Sequence, residues 1–262
     1  MATPDELLQA VNARPDDDAA RLAYADAVAK SEPDYAEFVK LQLARAADEK
    51  AAKAARGRPS SREQMLQKQH MYDWTKYMQR YVRDKGSDDG IDFWRGFVSW
   101  VRMEPENFVA LGDRLFKMAP IQHADLCDGE EPVRGLFAAP GLARLDSLSL
   151  ARTGLTDDDA FALAECEALR RCAWLDLSHN KLSTKGVTAL ARSPILATKV
   201  VVLLKGNPCD PVELPVLDYD GSVADMPASA ATKLVEDAVG ARVAWIHPPI
   251  PVPDRFHAMN FR

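Results

Sequence analysis

The sequence is poor in cysteine and histidine and has no long hydrophobic run, and each absence excludes a class of protein. Its four cysteines form no CxxC pair, so we expect reduced thiols and neither a zinc site nor a redox pair. No apolar stretch reaches the ~18 residues that cross a bilayer. The first residues also lack the basic and apolar stretches of an export signal. We therefore expect a cytoplasmic protein without a membrane partner.

Signatures of common enzymes are missing too. The sequence contains no glycine-rich phosphate loop, no HExxH and no GxSxG motif. Its five histidines are dispersed along the chain and do not form the cluster that a metal ion requires. We therefore predict no catalytic residue, no metal site and no cofactor, and we expect that the protein is not an enzyme.

The charge balance is negative overall and positive in one segment. The chain carries 33 Lys and Arg against 39 Asp and Glu, a formal net charge of −6. A protein of this charge does not neutralise many phosphates over its whole surface. Residues 40–85 are the exception, with 12 Lys or Arg against 5 Asp or Glu. Solvated helices often carry such an excess and no base-reading motif accompanies it, so nucleic acid is not an expected partner.

What the sequence does contain is an internal repeat of 27 residues, in which one slot holds Thr or Asn and the other slots are mostly apolar. Its first copy holds Leu142, Leu145, Leu148, Leu150, Thr153 and Leu155; its second holds Leu169, Cys172, Leu175, Leu177, Asn180 and Leu182; its third holds Leu196, Lys199, Val202, Leu204, Asn207 and Cys209. Counting 27 residues back from Leu148 and Leu150 places a weaker, earlier copy at Ile121 and His123.

The repeat resembles the leucine-rich repeat, LxxLxLxxNxL, and its length resembles the ribonuclease-inhibitor-like class, in which a helix follows each strand. This resemblance implies an α/β fold, a short solenoid of parallel strands with outer helices. The spacing agrees, because Leu175 and Leu177 share one face of a strand while Val187 and Leu190 share one face of a helix. Asn180 then lies in a turn, where its amide can satisfy backbone groups that have no ladder partner.

A second resemblance lies at the N-terminus. The stretches LLQAVNARPDDDAARLAYADAVAK, residues 7–30, and EFVKLQLA, residues 37–44, resemble the short repeat-companion domain of many myxobacterial and planctomycete proteins with leucine-rich repeats. Residues 94–121 resemble the segment that leads into the repeats of those proteins. This family implies no biochemical activity. We expect an all-helical N-terminal region, with its first helix capped by Thr3 and Glu6.

Apolar spacing and linker composition divide the chain into five predicted segments. A stripe of Met71, Trp74, Met78 and Tyr81 predicts a helix whose aromatic face lies in the core. The segments are a helical repeat-companion domain (1–57), a linker and the aromatic-striped helix (58–90), an N-terminal cap of the solenoid (91–120), the leucine-rich repeats (121–209), and a C-terminal cap with a proline-rich tail (210–262). Residues 247–262 either lie extended or dock on a partner, and the sequence leaves both alternatives open.

The strand residues between the buried leucines predict the binding surface. Asp176, Ser178 and His179 have the residue types of a catalytic triad, but the repeat already explains their spacing. We interpret them as part of an exposed strand face. The predicted partner-binding residues are Arg152, Trp174, Asp176, Ser178, His179, Val201, Leu203 and Lys205. Trp174 is the expected anchor, as a large aromatic at an exposed position, with shielding of Val201 and Leu203 as the alternative.

The most direct functional interpretation is a non-enzymatic protein-interaction module or adaptor that binds a protein partner on this strand face. The alternative is an inhibitor or immunity-type protein that neutralises a toxin or enzyme, for which the acidic remainder of the chain suits a basic target. The sequence leaves the partner's identity and the oligomeric state open.

Overall fold

The computed structural model describes residues 2–52, 59–82, 90–126, 135–196 and 201–209, together with Asp237. These residues form a mixed α/β fold with eight α-helices and six β-strands, most of which pair in parallel. The predicted C-terminal cap and tail, residues 210–262, lie outside the described residues except for Asp237. No helix within the described ranges is long and apolar enough to cross a bilayer.

The elements follow the chain in a fixed order. The helices are α1 (Pro4–Ala13), α2 (Asp18–Val28), α3 (Pro33–Ala52), α4 (Ser61–Thr75), α5 (Pro105–Leu111), α6 (Asp113–Met118), α7 (Asp157–Ala164) and α8 (Thr184–Arg192). The strands are β1 (Ile91–Trp94), β2 (Phe97–Arg102), β3 (His123–Asp125), β4 (Ser147–Ser149), β5 (Trp174–Asp176) and β6 (Val201–Leu203). The chain divides into two compact units, Met1–Met103 with Asp113–Gln122, and Glu104–Gly112 with His123–Arg262. These boundaries differ from the five predicted segments.

The first unit contains the predicted N-terminal helices and a hairpin. Thr3 and Glu6 form the predicted capping box at the start of α1, with Glu6 Oε2 accepting the Thr3 N–H at 2.8 Å. Met71 and Met78 are buried and Trp74 and Tyr81 are partly buried, with the Trp74 ring 4.9 Å from the Phe38 ring, so the stripe packs against the core as predicted. The helix itself ends at Thr75, so Met78 lies beyond it.

The hairpin of β1 and β2 packs on the helices of the same unit. The strands pair antiparallel around a turn in which Arg95 and Gly96 have φ of 53° and 83°. Gly96 contacts α3 so closely that a Cβ at this position would lie 2.6 Å from Val39 Cγ2. Phe97 shares one apolar cluster with residues of α1, α2 and α3. The helices of the first unit therefore complete their core with strand residues of the hairpin.

Buried charged side chains connect the elements of the first unit. Arg21 is fully buried and donates hydrogen bonds to the carbonyl oxygens of Pro15 at 2.7 Å, Trp94 at 3.1 Å and Arg95 at 2.9 Å. Burial, assisted by the nearby charge of Arg95, lowers the pKa of Arg21 to about 10. A charged group at this depth requires such partners, because an unsatisfied buried charge is very costly.

A buried ion pair joins α3 to α4. Glu63 accepts hydrogen bonds from Arg45 Nη2 at 2.8 Å and from Gln42 Nε2 at 3.1 Å. The side chains of Arg45 and Glu63 are 9% and 2% exposed. Gln42 extends the network to the hairpin, since its Oε1 accepts the Gly96 N–H at 2.7 Å.

The second unit confirms the predicted register of the repeat. Strands β4, β5 and β6 pair in parallel, and Leu148, Leu175 and Val202 are direct neighbours across them. Helices α7 and α8 begin one full period apart, at Asp157 and Thr184, as the repeat requires. The short connection before β4 instead contains two 3₁₀ helices, Leu136–Ala138 and Pro140–Arg144.

The register predicted for the earliest copy is wrong by three residues. Ala124 pairs with Leu148 and His123 pairs with Ser147. Paired residues of β3 and β4 are therefore separated in sequence by three residues fewer than the 27-residue period. Leu126, and not His123, therefore occupies the slot equivalent to Leu150. The connection between these strands is shorter, which accounts for the difference.

Asparagine side chains hold the turns of the repeat together, as predicted. Asn180 Oδ1 accepts the N–H groups of Thr153 at 3.1 Å and Leu155 at 3.0 Å. Its Nδ2 donates to the carbonyl oxygens of Leu150 at 2.9 Å and Leu177 at 3.0 Å. Asn207 repeats this pattern one copy later, accepting the Leu182 N–H and donating to the carbonyl oxygens of Leu177 and Leu204. Each amide thus joins its own strand end to the preceding copy.

Candidate functional site

The candidate site is the sheet surface of the second unit together with the turns that follow its strands. The parallel pairing places side chains of equivalent slots side by side across neighbouring strands. One row consists of His123, Ser147, Trp174 and Val201, and the next consists of Asp125, Ser149, Asp176 and Leu203.

Trp174 does not have the predicted exposed position. It is 2% exposed and packs against Val201, Ala173 and Leu203. The prediction of an exposed anchor is wrong, because the indole packs on residues of the neighbouring strand and its apolar surface is removed from water. Its packing against Val201 and Leu203 agrees with the shielding alternative. Ser178 and Val201 are also buried, so three of the eight predicted binding residues are not at the surface.

The accessible part of the predicted site lies at the ends of the strands. Arg152 and His179 are exposed, and Asp176, Leu203 and Lys205 are partly exposed. Backbone hydrogen bonds hold these ends beside one another. The Arg152 N–H donates to the Ser178 carbonyl at 3.1 Å, and the His179 N–H donates to the Lys205 carbonyl at 2.7 Å. We call Arg152, His179 and Lys205 the strand-end row.

Two members of the strand-end row adopt a backbone conformation that favours glycine. Arg152 has φ of 58° and His179 has φ of 56°, both in the left-handed region. Gly206 occupies the same slot in the next copy, with φ of 73°. A side chain in this region costs roughly 1–2 kcal/mol relative to glycine. The fold therefore accepts glycine at this slot, yet two of its three occupants carry long polar side chains.

At the third position of this slot the His179 ring occupies the space that a side chain would take. A Cβ on Gly206 would meet the ring at Nδ1, so a larger residue there requires the His179 side chain to move. Sequence reasoning did not single out Gly206. The signal was available, because Arg152, His179 and Gly206 follow one another at intervals of one period.

Asp176 supports the turn that carries His179. Its Oδ1 accepts the Ser178 N–H at 2.8 Å. Burial raises the pKa of Asp176, and the nearby charge of Asp125 raises it further, while the hydrogen bonds from Ser178 and the proximity of His179 oppose the shift. The carboxylate therefore has a local backbone partner, and its charge carries a desolvation cost.

The described hydrogen bonds do not arrange Asp176, Ser178 and His179 as a catalytic triad. Ser178 contributes its backbone N–H to Asp176, and the described contacts include no bond between the Ser178 hydroxyl and the His179 ring. A different Ser–His contact joins two buried residues of neighbouring strands, with Ser147 Oγ 2.6 Å from His123 Nδ1. Within the described ranges, no three His, Cys, Asp or Glu side chains are close enough together to hold a metal ion.

Several cations of the basic segment 40–85 are paired within the first unit. Lys40 contacts Asp26 at 2.7 Å, Arg62 contacts Glu37 at 2.5 Å, and Arg45 belongs to the buried pair described above. Paired cations are less available to phosphates than the sequence count suggests.

Comparisons with known proteins do not assign a family or a function to this chain. No model of a protein family, no curated protein and no solved structure matches the chain.

Proposed function

We propose that this chain is a non-enzymatic protein-interaction module built as a short leucine-rich-repeat solenoid, and that its protein partner binds at the strand-end row. The paired slots Leu148, Leu175 and Val202 and the asparagine contacts support the repeat architecture. The buried position of Trp174 moves the proposed surface from the middle of the strands to their ends.

The observation that carries this proposal is the left-handed backbone at Arg152 and His179. Strained residues persist where the surrounding structure holds them in place, and they concentrate at functional sites. Both side chains are exposed, so packing in the core does not explain why they replace glycine. Recognition of a partner by these side chains does explain it.

An interaction module agrees better with this geometry than an enzyme or a nucleic-acid-binding protein. The proposed surface consists of turn residues presented by a rigid sheet, which is how binding residues are commonly displayed on repeat proteins. Three of the twelve cations of segment 40–85, Lys40, Arg45 and Arg62, are paired with carboxylates, which weakens the argument for a phosphate-binding segment.

A comparative affinity capture tests the proposal. The full chain and its Arg152→Gly and Arg152→Gly/His179→Gly variants would be immobilised and exposed to a lysate of the source organism, followed by mass spectrometry. Arg170→Ala provides a matched control, because Arg170 is an exposed arginine of the same unit that forms a local ion pair with Glu167. We expect at least one protein that the wild type and the control retain and the double variant loses. Equal capture by all four chains would contradict the proposal.

A further inference from the structure

We infer that the segment bound by the strand-end row is an acidic, extended peptide region of the partner protein. This inference rests on the proposed function and adds the chemistry of the partner. It follows from three properties of Arg152, namely its exposure, its backbone strain and its lack of a carboxylate partner within the described residues.

Arg152 differs in this respect from other arginines of the protein. Arg62, Arg95, Arg170 and Arg171 each contact an Asp or Glu side chain, at distances from 2.5 to 3.3 Å. The described ion pairs and hydrogen bonds include none from the Arg152 guanidinium. Its planar fork of N–H donors matches the two oxygens of a carboxylate, which is the partner that other arginines of this chain find internally.

His179 and Lys205 add a hydrogen-bond donor and a positive charge next to Arg152. The His179 ring donates a hydrogen bond from a ring nitrogen in either protonation state, and Lys205 carries an ammonium group. Gly206, which has no side chain, leaves room for the His179 ring beside its backbone.

The dimensions of the row suit an extended segment. Neighbouring strands lie about 4.8 Å apart, so the strand ends that carry Arg152 and Lys205 are separated by roughly 10 Å. An extended peptide covers that distance with about three residues. A segment with two or three carboxylates therefore fits the row without requiring a pocket.

Asp176 limits which acidic segments fit. It lies on the strand between those that lead to Arg152 and Lys205, and its carboxylate already accepts the Ser178 N–H. A partner carboxylate placed next to it would be repelled, because like charges at close range are unfavourable. The row thus favours partner carboxylates that contact Arg152 and the other turn residues. It disfavours carboxylates that lie over the strand, next to Asp176.

A peptide titration of the isotope-labelled full chain tests this inference. Acetylated, amidated hexaglutamate would be added while backbone amide signals are followed by NMR at low ionic strength. We expect shifts centred on Arg152, His179 and Lys205, an affinity at least about fivefold weaker in Arg152→Gly, which corresponds to about 1 kcal/mol, and an unchanged affinity in Arg170→Ala. Arg152→Lys should fall between them, since it retains the charge without the fork.

Three outcomes would overturn the inference. Hexaglutamate binding that Arg152→Gly leaves unchanged would place the peptide elsewhere. Equal shifts with inorganic phosphate would indicate a small-anion effect, and shifts with hexalysine instead would point to a basic target of the kind that the inhibitor alternative requires. The capture experiment separates these failures from a failure of the proposed function. If the double variant loses a partner whose binding hexaglutamate does not compete with, the proposed function stands and the acidic-segment inference is wrong. If every variant retains the partner, both are wrong.

Discussion

The two units of this protein use buried polar groups in different ways. In the first unit, each network is unique and joins residues far apart in the sequence, such as Gln42 with Gly96 and Arg21 with Trp94. In the second unit, one contact is used repeatedly, because Asn180 and Asn207 form equivalent bonds in successive copies. The difference shows that polar contacts can be predicted from a periodic sequence, because they recur at equivalent positions. In a non-periodic sequence the local residues do not indicate such contacts.

The largest effect is expected for Asn180→Ala in the repeat unit. The substitution leaves two N–H groups and at least two carbonyl oxygens of buried turns without their partner, and each buried unsatisfied group costs about 1–3 kcal/mol. We expect a loss of about 5 kcal/mol in the free energy of unfolding, measured with urea, and faster hydrogen exchange of the Thr153 and Leu155 amides. Thr153→Val is the control, because it removes chiefly the hydroxyl bond to the Leu150 carbonyl and should cost about 1 kcal/mol. Equal losses in the two variants would contradict a special role of the amide.

The corresponding substitution in the first unit is Glu63→Ala. It removes the Glu63 carboxylate from the buried Arg45 guanidinium, and breaking one side of a buried ion pair costs roughly 3–5 kcal/mol. We expect a loss of about 4 kcal/mol, with hydrogen exchange increasing in α3 and α4. Arg62→Ala breaks an exposed pair between the same two helices and should cost at most about 1 kcal/mol. If Glu63→Ala proves as mild as Arg62→Ala, the buried network does not stabilise this unit.

Two aspartates of the repeat unit should give opposite pH responses. Burial tends to raise the pKa of Asp157, but hydrogen bonds from the Ser183 hydroxyl and from the N–H groups of Ser183 and Gly186 outweigh it and lower the pKa. Its stabilisation is present above the unfolded-state pKa of about 3.9 and is lost as the pH falls through the folded-state pKa. For Asp176 the pKa is raised, so its charged form costs stability above the folded-state pKa, and this cost disappears as the pH falls below the unfolded-state pKa.

We therefore expect Asp157→Asn to destabilise the protein at pH 7 by about 1 kcal/mol, with a difference from the wild type that shrinks towards pH 3. Asp176→Asn should be neutral or stabilising at pH 7, with a gain that also disappears at acidic pH. Urea unfolding at several pH values measures both differences. The same sign for the two variants at pH 7 would contradict the assigned environments.

The smallest effect on stability is expected for Arg152→Gly. Glycine relieves the left-handed strain but increases the conformational freedom of the unfolded chain, and these terms nearly cancel. The free energy of unfolding should change by less than about 1 kcal/mol, although partner capture falls. A large loss of stability would show that the side chain has a structural role and would weaken the functional interpretation.

The sequence predicted contacts between single residues in the repeat unit. In the first unit it predicted helices, the capping box of Thr3 and Glu6 and the buried stripe, but not the polar contacts between elements. Period and spacing were sufficient to predict the pairing of Leu148 with Leu175 and the role of Asn180, because both follow from positions that recur every 27 residues. They failed at β3, where a shorter connection shifts the register. The shorter offset aligns Ile121, Ala124 and Leu126 with Leu145, Leu148 and Leu150, so the signal was present but inconsistent with a constant period.

The remaining differences have physical causes that periodicity does not contain. The burial of Trp174 depends on what packs over the strand surface, which alternation along a single strand does not specify. The burial of Arg21 and Glu63 depends on partners in the hairpin and in another helix. Neither residue differs from a solvated charge when only its local sequence is considered.

The bonding of each asparagine to the preceding copy also sets a condition on how such a chain changes length. A duplicated copy brings its own asparagine and restores every bond, whereas a deletion that removes Asn180 or Asn207 leaves the preceding turn without the amide that completes it. Addition of whole copies, in evolution or by engineering, therefore preserves every turn contact of this unit.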